Sequence, residues 1–287
     1  MIVITTPIGQ IGHQILDSGK PIRIIARDPS RLDKIRDLVE VVQGSHDDID
    51  VLTKAFTGAD CVFWLVPPNP NTDSPTDHYL SFTRPACEAI KSQGVKRVVT
   101  VTSLGHEFGQ NAGLLTAAFA MDDLIESTGV SYRALRMPFF LENLLNQVES
   151  IKGQGVFFMP NSSDRQLATV ATTDIAETAA KLLLDNSWSG QDSIPVVGPD
   201  KLSPNEMVQI MSEVLARPVH FQQVSSEAYK ATMMQHGMSE AWAQGMVDMA
   251  AAQNHGIYDA DPGTSRPTTP TSFRQWCEDI LKPAVLN

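Results

Sequence analysis

Met1-Ile2-Val3-Ile4-Thr5-Thr6-Pro7-Ile8-Gly9-Gln10-Ile11-Gly12 opens the chain, and the reading of this stretch decides the fold. Ile2–Thr5 is a short, unbroken apolar run of the kind found in strands covered on both faces. Gly9–Ser18 reads as a helix with Ile11 and Ile15 on one face. Between strand and helix, Gly9 and Gly12 permit close backbone approach and tight helix–strand packing. The start of the helix offers unpaired N–H groups and positive potential to an anion. A bare Gly-x-x-Gly says little by itself, but a strand before it and a helix after it are what a phosphate-cradling loop requires. The usual first glycine of such a loop is absent: Thr6 stands there, with Pro7 after it.

The alternation continues outward. Ile22–Ala26, Val39–Gln43, Cys61–Val66, Arg97–Thr102 and Tyr132–Arg136 read as strands. Ser30–Leu38, Ile49–Phe56, His78–Ser92 and Leu114–Thr128 read as the helices between them. Strict strand–helix alternation predicts an α/β fold with a doubly wound parallel sheet of the Rossmann type. After Pro138 the pattern loosens. Phe139–Ile151 reads as helical, Gly153–Asp164 as loop, Asp174–Asp185 as a helix and Ser193–Val197 as a late strand. Ser203–Leu215 is a helix capped by Ser203, with Pro204 in its first turn. Val219–Val224 reads as a strand, and Ser226–Gln253 as one helical region carrying Met233, Met234, Met238, Met246 and Met249. A Pro/Thr-rich loop, Pro262–Pro270, precedes a last helix, Ser272–Leu281. The expected division is a nucleotide-binding domain over 1–152, with helix 174–185 packing back on it, and a small C-terminal α/β substrate lobe over most of 153–287.

Composition narrows the function classes. A formal charge of -11 makes the chain a poor partner for nucleic acid or an anionic membrane. No apolar run reaches the about 18 residues of a membrane span, and the N-terminus has no basic region that would mark a signal peptide. Cys61, Cys87 and Cys277 are too scattered for a disulfide framework or a zinc site, so no metal is expected and a cytoplasmic setting is the simplest reading. His46-Asp47-Asp48 reads as a loop and helix cap. No Gly-x-Ser-x-Gly elbow is present, which argues against a serine hydrolase.

The end of the second strand selects the nucleotide. An acidic residue there would bind a ribose 2′-OH and favour NAD(H); Arg27 suits a 2′-phosphate and favours NADP(H), with Arg31 one turn on as a second cation. The adjacent Asp28-Pro29-Ser30 is better explained as a turn and cap.

Several stretches together resemble the NmrA-like branch of the atypical short-chain dehydrogenase/reductases (atypical SDR). They are Thr6 to Gly12, Arg23-Ile24-Ile25-Ala26-Arg27-Asp28-Pro29, the run from Gly94 to Gly105, Tyr132 to Asn143, Thr173-Asp174, Gly198 to Ser203, and Ser212 to Pro218. The resemblance covers nearly the whole chain. It implies a cofactor in the cleft between the two lobes, with Gly9, Gly12 and Arg27 as contacts and Ser103 near the nicotinamide. The residue after Gly44, often acidic and near the adenine in this family, is Ser45 here. Expected cofactor contacts are thus Thr6, Ile8, Gly9, Gln10, Ile11, Gly12, Arg27, Arg31, Val66, Pro67, Ser103 and Pro138. The family holds both NAD(P)H-dependent reductases and redox sensors that bind dinucleotide without turnover.

The Tyr-x-x-x-Lys dyad of typical short-chain dehydrogenases is missing. Four residues after Tyr79, Tyr132, Tyr229 and Tyr258 come Thr83, Arg136, Met233 and Pro262, and no lysine lies between Lys96 and Lys152. The helix that should carry the dyad offers Met121, Asp122 and Asp123. The function expected is therefore an NADP(H)-dependent oxidoreductase that transfers hydride directly to a small conjugated apolar acceptor such as a quinone, enone or dye; the alternative is a non-catalytic NADP(H)-binding sensor. Ser103 and His106 are the candidate catalytic groups, unless His106 is only a surface loop histidine. Phe139, Phe140, Asn143 and Met233 are the candidate substrate pocket, with Trp64 and the other methionines; the same residue types at helical spacing also serve as core. Glu142 and Glu149 read as a solvated helix face. Ser226–Gln253 is apolar enough either for a homodimer surface or for packing within the lobe.

Overall fold

Short apolar strands that alternate with capped helices set the architecture. The computed structural model describes residues 1–9, 11–12, 21–32, 35–261 and 266–286. In chain order the elements are β1 (Ile2–Ile4), β2 (Ile22–Ala26), β3 (Glu40–Gln43), α1 (Ile49–Phe56), β4 (Cys61–Trp64), α2 (Pro75–Gln93), β5 (Arg97–Ser103), α3 (Leu114–Glu126) and β6 (Ser131–Met137). There follow β7 (Phe139–Phe140), α4 (Val148–Gln154), β8 (Val156–Met159), β9 (Leu167–Val170), α5 (Thr172–Leu184), β10 (Gln191–Pro195) and β11 (Lys201–Leu202). The last are α6 (Pro204–Leu215), β12 (His220–Gln223), α7 (Ser226–Gln235), α8 (Glu240–Asn254), α9 (Phe273–Trp276), a π-helical turn Cys277–Leu281, and α10 (Lys282–Leu286).

The main sheet has seven strands in the order β10-β6-β5-β4-β1-β2-β3, paired in parallel throughout. This is the doubly wound α/β sheet expected from the alternation. Every residue of β1, β4 and β5 is buried, which explains their unbroken apolar runs. One face packs Val3, Val62, Trp64 and Val98 against Leu52, Phe56, Ile90 and Ile125. The other packs Ile4, Ile24, Phe63 and Val99 against Ile175, Ala179 and Leu183 of α5. So α5 and β10, although late in sequence, complete the main sheet. A third core, with Leu141, Phe157, Met207, Met211, Phe273 and Trp276, fills the C-terminal lobe.

Capping chemistry sets several boundaries. Asp48 accepts from the amides of Asp50 and Val51 to start α1. Ser203 and Glu206 form a reciprocal capping box at α6, with Pro204 as its first residue.

Five expectations need correction. Phe139–Ile151 is not one helix: Phe139 and Phe140 pair with Thr169 and Val170 of β9, a 3-10 stretch covers Leu141–Gln147, and α4 follows. The stretch read as loop after Gly153 contains β8, which pairs with β12. Ser226–Gln253 is two helices, α7 and α8, and Gly237 between them has φ 89. Glu142 is buried: its carboxylate accepts from Thr172 N at 3.0 Å and Trp276 Nε1 at 3.1 Å, starting α5 and anchoring α9. Ser30–Leu38 forms 3-10 turns at Pro29–Leu32 and Arg36–Leu38. The helix expected from Gly9 to Ser18, and Gln10 within it, fall largely outside the described residues.

Candidate functional site

The carboxyl ends of β1 to β5 lie along one edge of the sheet, where open α/β sheets bind ligands. At the end of β1, Thr5 Oγ1 donates to Leu65 O (3.2 Å) and accepts from Leu65 N (3.1 Å), locking this end to the end of β4. The loop turns on a bond from Gly9 N to Thr6 O (3.2 Å). Its two glycines are not equivalent. A Cβ on Gly12 would lie 1.9 Å from Thr6 O, so the close approach of the loop backbone to itself demands glycine there. A Cβ on Gly9 would meet Thr6 O at 3.5 Å, an ordinary contact, so packing among the described residues does not require glycine at that point. Close approach of a pyrophosphate does. Thr6 Oγ1 is buried without a partner, Ile11 is buried, and Ile8 at the loop tip is 49% exposed. These features fit a dinucleotide laid against the loop.

Arg27 and Arg31 are exposed beyond β2. Asp28 is turned onto its own loop, where its Oδ1 accepts from Ser30 N (3.0 Å) and Ser30 Oγ (2.6 Å). After β3, His46 sits in an aromatic nest, its ring 4.8 Å from Phe82 and 5.5 Å from Trp64. Burial drives its pKa down to about 4, with the Arg27 charge a smaller push in the same direction. His46 lies in the loop before the Asp48 cap, as its sequence context suggests, but it is buried there by aromatic residues converging from β4 and α2, which no local pattern shows. Val66 is buried and Pro67 half-buried after β4, and His78 Nε2 donates to Pro67 O at 2.9 Å.

At the end of β5, Ser103 is buried and its hydroxyl bonds backbone carbonyls, Leu104 O (2.9 Å) and Met137 O (3.3 Å). His106 pairs with Asp123 Oδ1 through Nε2 (2.9 Å), lies 3.5 Å from Glu107 through Nδ1, and packs edge-on against Phe119. Pro138 is buried after β6. Phe139 packs toward the lobe core and Phe140 toward the sheet and α5, since neighbouring strand residues face opposite ways. Asn143 is exposed, and Met233 is half-buried on α7. Trp64, expected in the pocket, is fully buried core.

Asp122 occupies the helix position where a catalytic dyad would sit. It is 1% exposed, and its Oδ1 accepts from Tyr132 Oη. Tyr132, one of the tyrosines searched for a dyad, is therefore a core residue of β6.

The lobe closes over this edge through side chains. Arg136 Nη1 bonds Asp261 Oδ1 (3.2 Å), and Asp261 Oδ2 accepts from Gly105 N. Trp242 Nε1 donates to Thr72 Oγ1 (2.8 Å), and Ser239 N to Pro70 O (2.8 Å). A separate cavity of about 340 Å³, lined by Ala168, Asp200, Lys201 and Asp259, lies within the lobe, where Lys201 and Asp259 pair at 2.6 Å. Among the described residues no group of three or more His, Cys, Asp or Glu is arranged to hold a metal, and no helix is long and apolar enough to cross a membrane.

A doubly wound parallel sheet with a glycine loop at the carboxyl edge of its first strand defines a nucleotide-binding Rossmann protein. The chain belongs to the NAD(P)H-binding family, whose model matches residues 8–186, in agreement with the NmrA-like resemblance. The (4-alkanoyl-5-oxo-2,5-dihydrofuran-3-yl)methyl phosphate reductase of Streptomyces griseus is 28% identical, over 96% of this chain and 96% of its own. An NAD(P)H azoreductase of Xenophilus azovorans is 26% identical, over 88% of this chain and 86% of its own. The solved NADPH complex of the NADPH-dependent quinone oxidoreductase QOR2 of Escherichia coli shares the fold, with a TM-score of 0.80 at 21% identity, over 96% of this chain and 98% of that one.

Proposed function

We propose that the chain is an NADP(H)-dependent reductase that serves direct hydride transfer to a conjugated, largely apolar acceptor such as a quinone, an enone or an azo dye. The observation that carries the cofactor choice is Arg27. Its guanidinium is exposed at the end of β2, and the acidic neighbour that would favour a ribose hydroxyl is spent on Ser30. A 2′-phosphate suits that arrangement, with Arg31 as the second cation. Thr6, Ile8, Gly9, Gln10, Ile11 and Gly12 would cradle the pyrophosphate, and Val66, Pro67, Ser103 and Pro138 would border the nicotinamide half. Residues 1–152 with α5 form the cofactor half, and most of 153–287 the substrate lobe, with Phe139, Phe140, Asn143 and Met233 as its contacts.

The bound dinucleotide supplies the hydride. The chain's own part is to position it and to exclude water. The relatives named for azo and dihydrofuranone reduction support an acceptor with a polarised unsaturated bond. Such an acceptor takes hydride without a Tyr/Lys dyad. Calorimetric titration with NADPH and NADH tests the reading. NADPH binds more tightly, and Arg27→Ala weakens it by about 10- to 100-fold, the worth of a charge-assisted contact, while leaving NADH unchanged. Equal affinities in both proteins would overturn the NADP(H) assignment. Tight binding without oxidation of NADPH by quinones, enones or dyes would turn the reading to the sensor.

A further inference from the structure

A buried layer of polar side chains between α3, β5 and β6 is left over once the cofactor loop is accounted for. Alternate strand residues share a face, so Thr100 and Thr102 of β5 lie on the same side as Tyr132 and Arg136 of β6, beneath α3. Asp122 reaches into this layer, with Oδ1 held by Tyr132 Oη, which in turn lies 2.5 Å from Thr100 Oγ1. Three buried atoms there make no well-aligned hydrogen bond, Asp122 Oδ2, Thr102 Oγ1 and Arg136 Nε, although the Thr102 hydroxyl is near enough to Asp122 to favour its carboxylate. They are an acceptor, a hydroxyl that both donates and accepts, and a donor. Such atoms are costly to bury, yet three adjoining elements each contribute one. Thr102 is also the penultimate residue of β5, and Arg136 is tied through Asp261 to Gly105 in the loop that follows. The layer thus runs from the core to the edge where a ligand would sit.

We propose that Asp122 is the proton reservoir of the reduction and delivers its proton through the Thr102 hydroxyl to an acceptor at the end of β5. The proposal rests on the reductase reading above. A reduced nicotinamide supplies a hydride, and making a hydroquinone from a quinone takes one further proton. That proton leaves Thr102 Oγ1 as the new O–H bond forms on the quinone oxygen. Thr102 Oγ1 is refilled as the Asp122 Oδ2–H bond breaks, and the electron pair stays on Asp122 as a carboxylate. Asp122 regains a proton from solvent before the next turnover.

Burial raises the Asp122 carboxyl to about 6 against the opposing pull of Tyr132, Thr102, His106 and Arg136, which places it near the working pH of a general acid. The titratable groups around it are Tyr132 and Arg136 from β6, His106 from the loop after β5, and Asp123 and Glu126 on its own helix. Elsewhere along α3, α2 brings Cys87 to Leu124 O, and α8 brings Asp248 to Asn111 before its first turn.

The test compares wild type, Asp122→Asn, Thr102→Val and Thr102→Ser, with NADPH and a soluble quinone across pH 5 to 8.5. An infrared pH titration of the carboxyl band is recorded on each protein alone. Asp122→Asn and Thr102→Val lower kcat by about 10- to 100-fold, flatten its pH dependence and keep the wild-type Kd for NADPH; Thr102→Ser restores the rate. A protonated carboxyl titrating near pH 6 appears in wild type and disappears in Asp122→Asn. Variants that keep wild-type kcat and pH profile beside an active wild type overturn this proposal alone. A wild type that binds NADPH and reduces nothing overturns the reductase reading and the reservoir with it.

Discussion

The two glycines after β1 separate what the fold needs from what a ligand needs. Gly12→Ala would push a methyl to 1.9 Å from Thr6 O, backbone that cannot swing away, and should cost about 1–3 kcal/mol as the loop is forced open. Gly9→Ala meets the same carbonyl at 3.5 Å and should leave the melting temperature near wild type while weakening NADPH binding. Thermal melts and calorimetry on both variants check this; equal destabilisation by the two would show that the loop needs Gly9 for itself. His46 gives the second prediction at this scale. Its pKa of about 4 in the fold lies below the 6.5 of an unperturbed histidine, so the unfolded chain binds the extra proton. The stability it contributes is therefore full above pH 6.5 and is lost as pH falls toward 4, by up to about 3 kcal/mol for a shift of this size. Urea unfolding at pH 7.5 and 4.5 should show that loss in wild type and a flatter response in His46→Phe. Asp122 slopes the opposite way between 3.8 and about 6, so the difference between the two proteins is what isolates His46.

Elements whose character comes from their own residues were legible in the sequence. β5 shows as Val98-Val99-Thr100-Val101 because it is buried on both faces, and α6 shows through Ser203 and Pro204 because caps are local chemistry. β7, β9 and β11 were not, since each is two to four residues long and exists only by pairing with a distant partner. Phe139-Phe140 has the apolar spacing of a helix start, and the pairing with Thr169 and Val170 overrides it. The site was legible to the same degree: the glycine loop and Arg27 carry their chemistry in sequence, while the Asp122 layer arises from α3, β5 and β6 meeting. In that layer, Tyr132→Phe removes the donor that holds Asp122 Oδ1. The ionised carboxylate loses more by this than the neutral acid does, so the variant should be destabilised by about 1–3 kcal/mol at pH 8 and by less at pH 5. Denaturant midpoints at the two pH values measure the difference; equal losses would mean that Asp122 keeps one charge state throughout.

At the scale of the whole molecule, the C-terminal lobe meets the sheet half through a shared apolar seam at the loop after β5 and α3 and through a few polar ties at the carboxyl edge. The lobe's apolar cluster draws mainly on its own residues but also takes in Leu104, Phe108, Ala112, Leu115 and Phe119, while the clusters on the two sheet faces are separate from it. What joins them at the β5 loop is the pair of Arg136, with its side chain 13% exposed, and Asp261, with 2%; Asp261 also holds the Gly105 amide. A methyl on Gly105 would strike Ile257, so backbone and apolar contact meet at the same point. Asp261→Asn keeps an oxygen for Gly105 N but leaves Arg136 with its charge uncompensated, a change that costs about 3 kcal/mol when the partner is this buried. Because the tie spans the two halves, the loss should appear as lost cooperativity as well as lost stability. Wild type should unfold in one transition by tryptophan fluorescence and far-ultraviolet circular dichroism alike. In Asp261→Asn the fluorescence transition, half of whose four reporters (Trp242 and Trp276) lie in the lobe, should begin at lower denaturant than the circular dichroism transition. Coincident transitions in the variant would show instead that Glu142, joining α5 to Trp276, suffices to keep the halves coupled.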